Sequence, residues 1–183
     1  MGEKTHMSIL GSRLRPPFLG TLALTGLLLL GGASVSIAID PGDKAPRFSA
    51  PELLGQGRVT LEAYRGKVVF LDFWASWCGP CLTSIPLLDQ LRAEFSDQGF
   101  AVVGINVDRD PQAARKFLKR KPVSYPSASD PEGRIPESFE VGTMPTSFLI
   151  DRNGVVHYVH QGFHRNDIAE LRERIAALLR SDK

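Results

Sequence analysis

The sequence predicts an α/β domain built around a parallel pair of strands, and three observations predict it. Val68–Trp74 and Phe100–Val107 are dense apolar runs that read as buried strands. Each run is followed by a helical pattern. In the first, Ile85, Leu87, Leu88, Leu91 and Phe95 fall near one face; the second, Pro111–Lys121, opens with a proline suited to a first turn. Strand–helix–strand–helix at this spacing implies parallel pairing. The third observation is chemical. The only two cysteines, Cys78 and Cys81, are separated by two residues and stand where the first strand gives way to its helix.

Residues 1–39 read as a targeting segment and 40–183 as the domain. Lys4, Arg13 and Arg15 precede an uncharged run from Pro16 to Ile39, most apolar over Leu22–Leu30. A basic flank ahead of such a run is a secretory signal peptide or an N-terminal membrane anchor. Ser36-Ile37-Ala38 is similar to a small-x-small cleavage site, which would start the mature chain at Ile39. As a helix, the run would span about 36 Å, enough to cross a bilayer. Both readings stand, and both put the domain outside the cytoplasm, because the basic flank stays inside.

Asp40–Pro46 is a linker with turn residues. Arg47–Ala50 and Arg58–Leu61 flank Gly55-Gln56-Gly57, which predicts a small hairpin. Glu62–Gly66 is a short turn or helix. The helix after the cysteines is expected to end near Gly99. Val123–Val141 reads as irregular, with one helical turn over Ile135–Phe139. Thr146–Ile150 is a strand, Asp151-Arg152-Asn153-Gly154 a hairpin turn, and Val155–His160 the returning strand. Ile168, Leu171, Ile175 and Leu178 give a final amphipathic helix, for which Asp167 and Glu170 are spaced as a capping box.

Hydrophobic residues make up 43% of the chain, enough for a sizeable core. Three of the 22 basic and one of the 20 acidic side chains precede residue 39, which leaves 19 of each in the domain. A neutral domain offers no electrostatic case for nucleic acid.

The cysteine pair has three chemical readings. Zinc wants four ligands, no further cysteine exists, and His157 and His160 point to opposite faces of a strand because their separation is odd. A structural disulfide would close too small a loop to be a useful staple. A redox-active pair fits best. The first turn of a helix presents unpaired N–H groups and the positive end of the macrodipole, which favour a thiolate. Cys78 is expected at the exposed front edge, as nucleophile, and Cys81 one turn in, more buried, as resolving partner. Asp72 is a carboxylic acid in an apolar strand, where desolvation should raise its pKa. It is a candidate to accept the Cys81 proton; a merely hydrogen-bonded aspartate at a strand end is the alternative.

The stretch Asp72-Phe73-Trp74-Ala75-Ser76-Trp77-Cys78-Gly79-Pro80-Cys81 resembles the active site of thioredoxins. Pro86 falls where that family has its helix-kinking proline, and Met144-Pro145-Thr146 is similar to its cis-proline loop. From about Asp40 to Leu179 the chain resembles the extracytoplasmic TlpA/ResA/DsbE-like branch. The resemblance implies a thioredoxin-like fold, a central mixed sheet flanked by helices, with an N-terminal β-hairpin and an insertion before the cis-Pro145 loop. Many members of the branch have a glutamate three residues after the second cysteine; Ser84 stands there in this chain, and Asp72 supplies the buried acid.

The activity so implied is thiol:disulfide exchange at Cys78 and Cys81, without a cofactor. Asp72 and Pro145 would assist, and Trp77, Gly79, Pro80 and Met144 would contact a protein substrate bearing a disulfide or thiols. Gly79-Pro80 favours a reductant, because thioredoxin shares this pair and has a potential of about −270 mV. By resemblance, electrons would come from a membrane donor of DsbD/CcdA type and serve the maturation of cytochrome c or of oxidase copper sites. A thiol oxidant or isomerase would use the same residues. A copper or haem chaperone would use the cysteines as ligands, but only Met144 adds a soft ligand to the domain.

Overall fold

The computed structural model describes residues 39–181. The basic flank and the uncharged run ahead of Ile39 lie outside the described residues. None of the described helices is long and apolar enough to cross a membrane.

The chain runs through β1 (Ser49–Pro51), β2 (Arg58–Thr60), β3 (Val68–Trp74), α1 (Gly79–Phe95), β4 (Phe100–Asn106), α2 (Pro111–Arg120), β5 (Ser127–Ser129), α3 (Arg134–Ser138), β6 (Thr146–Ile150), β7 (Val156–Gln161) and α4 (Asp167–Ser181). Strands β5-β4-β3-β6-β7 form one sheet in that order. β3 and β4 pair in parallel, as do β4 and β5, while β6 and β7 are antiparallel to their neighbours. The hairpin β1–β2 is a separate antiparallel pair. This is the mixed sheet with an N-terminal hairpin that the sequence predicted.

Both central strands are buried along their whole length, as expected for strands covered on two faces. Alternate residues go to opposite faces. Val68, Phe70 and Trp74 join a cluster with Cys78, with Cys81, Ile85, Leu88 and Leu91 of α1, Ala114 and Leu118 of α2, and Leu171 and Ile175 of α4. Val69, Leu71 and Phe73 join Phe48, Val59, Ile135, Phe139 and Phe148. The hairpin and the insertion thus cover the face opposite the three long helices.

Two expectations need correction. Part of the Val123–Val141 segment is ordered strand: β5 pairs Ser127, Ala128 and Ser129 with Gly104, Ile105 and Asn106. Three small residues after a proline carry no strand signal of their own; the register with β4 makes them a strand. The capping box does not form either. Asp167 Oδ2 accepts the N–H of His164, whereas the Glu170 carboxylate is taken by Arg174 Nε at 2.7 Å and Tyr158 Oη at 3.2 Å.

Candidate active site

Cys78 is the N-cap of α1, in extended conformation, with Pro80 in the first turn. Its Sγ accepts the N–H of Cys81 at 3.3 Å, so the sulfur itself satisfies one of the donors a helix start leaves open. No acidic residue lies in the first turn of α1 to oppose negative charge there. The two cysteines form a disulfide, with Cα atoms 5.2 Å apart.

Cys78 is 5% exposed and Cys81 fully buried. The order matches expectation, but Cys78 does not stand at an open edge. Its sulfur is turned back over the first turn, where it meets both the N–H and the sulfur of Cys81. The surface here belongs to Trp77, 70% exposed, and to Gly79 and Pro80. Trp74 is buried instead. Its indole N–H donates to Ser127 Oγ at 3.2 Å across Gly104, where a Cβ would run into that hydroxyl and lie 3.0 Å from the indole nitrogen.

Asp72 lies in the middle of β3, not at its end, and alternation puts it on the face of Phe70, Trp74 and the cysteines. Ser147 Oγ donates to its Oδ1 at 2.7 Å, and its Oδ2 is buried with no hydrogen-bond partner. Burial pushes the carboxyl up to about 7, against a smaller lowering by the Ser147 hydroxyl. Ser84 is also buried and returns its hydroxyl to the Cys81 carbonyl at 3.0 Å. The Met144–Pro145 peptide is cis; Pro145 is buried and Met144 partly so, packed against both clusters.

Sequence reasoning missed Asp108 and Asn106. Both carboxylate oxygens of Asp108 lie 3.1 Å from the N–H of Ser76, two residues before Cys78, and Asn106 Nδ2 donates to Asp108 and to the Trp74 carbonyl. This buried pair fixes the turn that leads from β3 into the cysteines. Their signal in the sequence was two polar residues closing an apolar strand. Among the described residues, the histidines have their polar partners elsewhere than at the sulfurs. His157 Nε2 is 3.1 Å from Asp151, and His160 Nδ1 is 3.3 Å from Tyr158 Oη. Among the described residues no group of three His, Cys, Asp or Glu side chains is placed to hold a metal ion.

Comparison with known proteins gives a consistent result. The Redoxin family profile matches residues 40–175. The thiol-disulfide oxidoreductase ResA of Geobacillus kaustophilus is 35% identical, over 68% of this chain and 71% of its own. Among solved structures, a protein provisionally identified as thiol:disulfide interchange protein DsbE from Chlorobium tepidum is 46% identical, with a TM-score of 0.75, covering 78% of this chain and 99% of that one. A secreted Mycobacterium tuberculosis disulfide oxidoreductase, described as homologous to the DsbE of E. coli, is 25% identical with a TM-score of 0.61, covering 72% and 96%.

Proposed function

This chain belongs to the Redoxin family, among the TlpA/ResA/DsbE-like members of the thioredoxin superfamily, and is a thiol-disulfide oxidoreductase; we propose that it acts outside the cytoplasm as a reductase of protein disulfides. The observation that carries this reading is the Cys78 sulfur at the start of α1 with a buried, proton-binding acid on the same face of the sheet.

In the proposed cycle, Cys78 thiolate attacks one sulfur of a substrate disulfide. A mixed disulfide forms and the other substrate sulfur leaves as thiolate. Asp72 carboxylate takes the proton of Cys81, and Cys81 thiolate attacks the Cys78 sulfur. The Cys78–Cys81 bond forms, the bond to substrate breaks, and substrate leaves with two electrons gained. The exposed Trp77, Gly79 and Pro80, with Met144 beside Pro145, are the surface on which an extended substrate would lie. A donor dithiol then reduces the pair again, and a membrane donor of DsbD/CcdA type suits the family. Cytochrome c and oxidase copper-site cysteines are the substrate classes we favour. The domain is taken to begin at residue 40, behind a cleaved signal or a retained anchor over 1–39. The description of the M. tuberculosis relative as secreted supports that location.

Equilibration of the Cys78–Cys81 couple against glutathione or dithiothreitol tests the direction. We expect a potential near or below about −250 mV. A value near about −120 mV would make the protein an oxidant, and the absence of any reversible couple would turn the cysteines into ligands.

A further inference from the structure

Asp72, Ser147 and His160 stand in one row across the sheet, since Ser147 is the register partner of Asp72 in β3 and of His160 in β7. Residues paired directly across strands project to the same face, here the face that carries α1 and Cys81. On its other side Asp72 is paired with Gly104 of β4, which brings no side chain. Ser147 is therefore the one cross-strand side chain beside the acid. Its hydroxyl donates to Asp72 Oδ1 at 2.7 Å, and both residues are buried. Oδ2 is buried too and has no partner. A buried carboxylate oxygen left unpaired is expensive, and native folds rarely keep one without a use for it.

We propose that Ser147 is a positioning residue for the dithiol chemistry: its hydroxyl clamps Oδ1 of Asp72 and leaves Oδ2 as the oxygen that takes the Cys81 proton. This rests on the reading of Asp72 as proton acceptor given above. The proton passes from Cys81 Sγ to Oδ2, and the resulting thiolate displaces the substrate sulfur from Cys78. Asp72, now the neutral acid, returns the proton to Cys81 when a donor dithiol reduces the pair. The other ionisable groups on this face are the two cysteines at the start of α1, Tyr125, whose hydroxyl donates to the Ile85 carbonyl, and Tyr158 and His160 of β7. α4 contributes the apolar Leu171 and Ile175, and sets Glu170 and Arg174 against Tyr158 and Asp167 against His160. Beyond Ser147, His160 has Tyr158 Oη on Nδ1 and an Asp167 carboxylate oxygen 3.2 Å from Nε2.

A hydroxyl that donates to a carboxylate favours its charged form, so removing it favours the acid. In the full chain, oxidised, a ¹³C NMR titration of the Asp72 carboxyl should show its midpoint raised by about one pH unit in Ser147→Ala. Ser147→Thr, which keeps the hydroxyl, should return it to the wild-type value. The pH profile of mixed-disulfide resolution should move upward with the midpoint. An unmoved midpoint in Ser147→Ala, or an equal shift in Ser147→Thr, overturns the clamp. If the midpoint moves while resolution keeps one pH profile in wild type, Ser147→Ala and Asp72→Asn, then Asp72 is not the acceptor. The proposal then falls with that reading, although the clamp itself has been measured.

Discussion

β3 displays both faces of the sheet at once. Val68, Phe70, Asp72 and Trp74 point toward the long helices, and Val69, Leu71 and Phe73 toward the hairpin and α3. On the helix side, the apolar packing is broken by a carboxylic acid, the hydroxyls of Ser84, Ser127 and Ser147, and two sulfurs, all buried. The other side is closed by aromatic rings: Phe139 lies 5.1 Å from Phe148, 5.4 Å from Phe73 and 6.5 Å from Phe48, centroid to centroid. Phe48 leads into the hairpin and Phe139 closes α3, so this cluster attaches both additions to the thioredoxin-like core. One face bears unfavourable burial, which in the proposed cycle serves the chemistry, and the other supplies apolar packing that offsets it. Chemistry and stability should accordingly respond to different substitutions.

The sharpest division is expected within the disulfide. Cys78→Ser should abolish disulfide reduction, whereas Cys81→Ser should accumulate a mixed disulfide with substrate, visible by non-reducing electrophoresis. Identical behaviour of the two variants would erase the difference in role between the N-cap sulfur and the buried one. On the aromatic face, Phe148→Ala should cost about 3–5 kcal/mol in denaturant unfolding and leave the reduction potential unchanged. A shifted potential would show that the faces are coupled. Asp72→Asn should act the other way, stabilising the fold while slowing turnover at neutral pH more than at high pH.

The sign of that last effect follows from the shift. The Asp72 carboxyl titrates near 3.8 when unfolded and is pushed up to about 7 in the fold. Between these values the folded state holds a proton that the unfolded chain has lost, so stability falls as pH rises through this window. Above about pH 7 the cost is complete, with a ceiling of about 4 kcal/mol. Part of it is exchanged for the burial of an amide in the asparagine variant. We expect a gain of about 2 kcal/mol at pH 8, vanishing near pH 4. A gain independent of pH would mean that the acid is not buried in its charged form, and the contrast between the faces would lose its main support.

How much of this was legible in the sequence depended on how local each signal was. β3, α1 and the cysteine pair are continuous in sequence and announce themselves by apolar density and by spacing. Asp72 stands out because a carboxylic acid in such a run is conspicuous. Ser147 was invisible by comparison, since one serine in a strand means little until the register sets it beside a partner 75 residues away. Asp108 acts on Ser76 across 32 residues, a contact that no local pattern announces. β5 exists only because Gly104–Asn106 lies beside it. The capping box failed because Arg174 and Tyr158, both near in space, compete for Glu170. The resemblance marks Ser84 as a departure from the branch, but only the fold shows the serine turned inward to the Cys81 carbonyl.

The segment that enters the domain is tied down far from the sulfurs. The N–H of Gly42 bonds to the Val156 carbonyl, that of Val156 to Asp43, and that of Ala45 to Gly154, at the end of β6–β7 remote from Thr146. A mechanical pull on the chain ahead of Ile39 would load the Asp40–Asp43 turn and then these three bonds, and the force would be shed into the edge strand β7. The cysteines, beyond the opposite end of β3, would feel little of it. Traction on the leading segment would leave the reactive end of the molecule undisturbed.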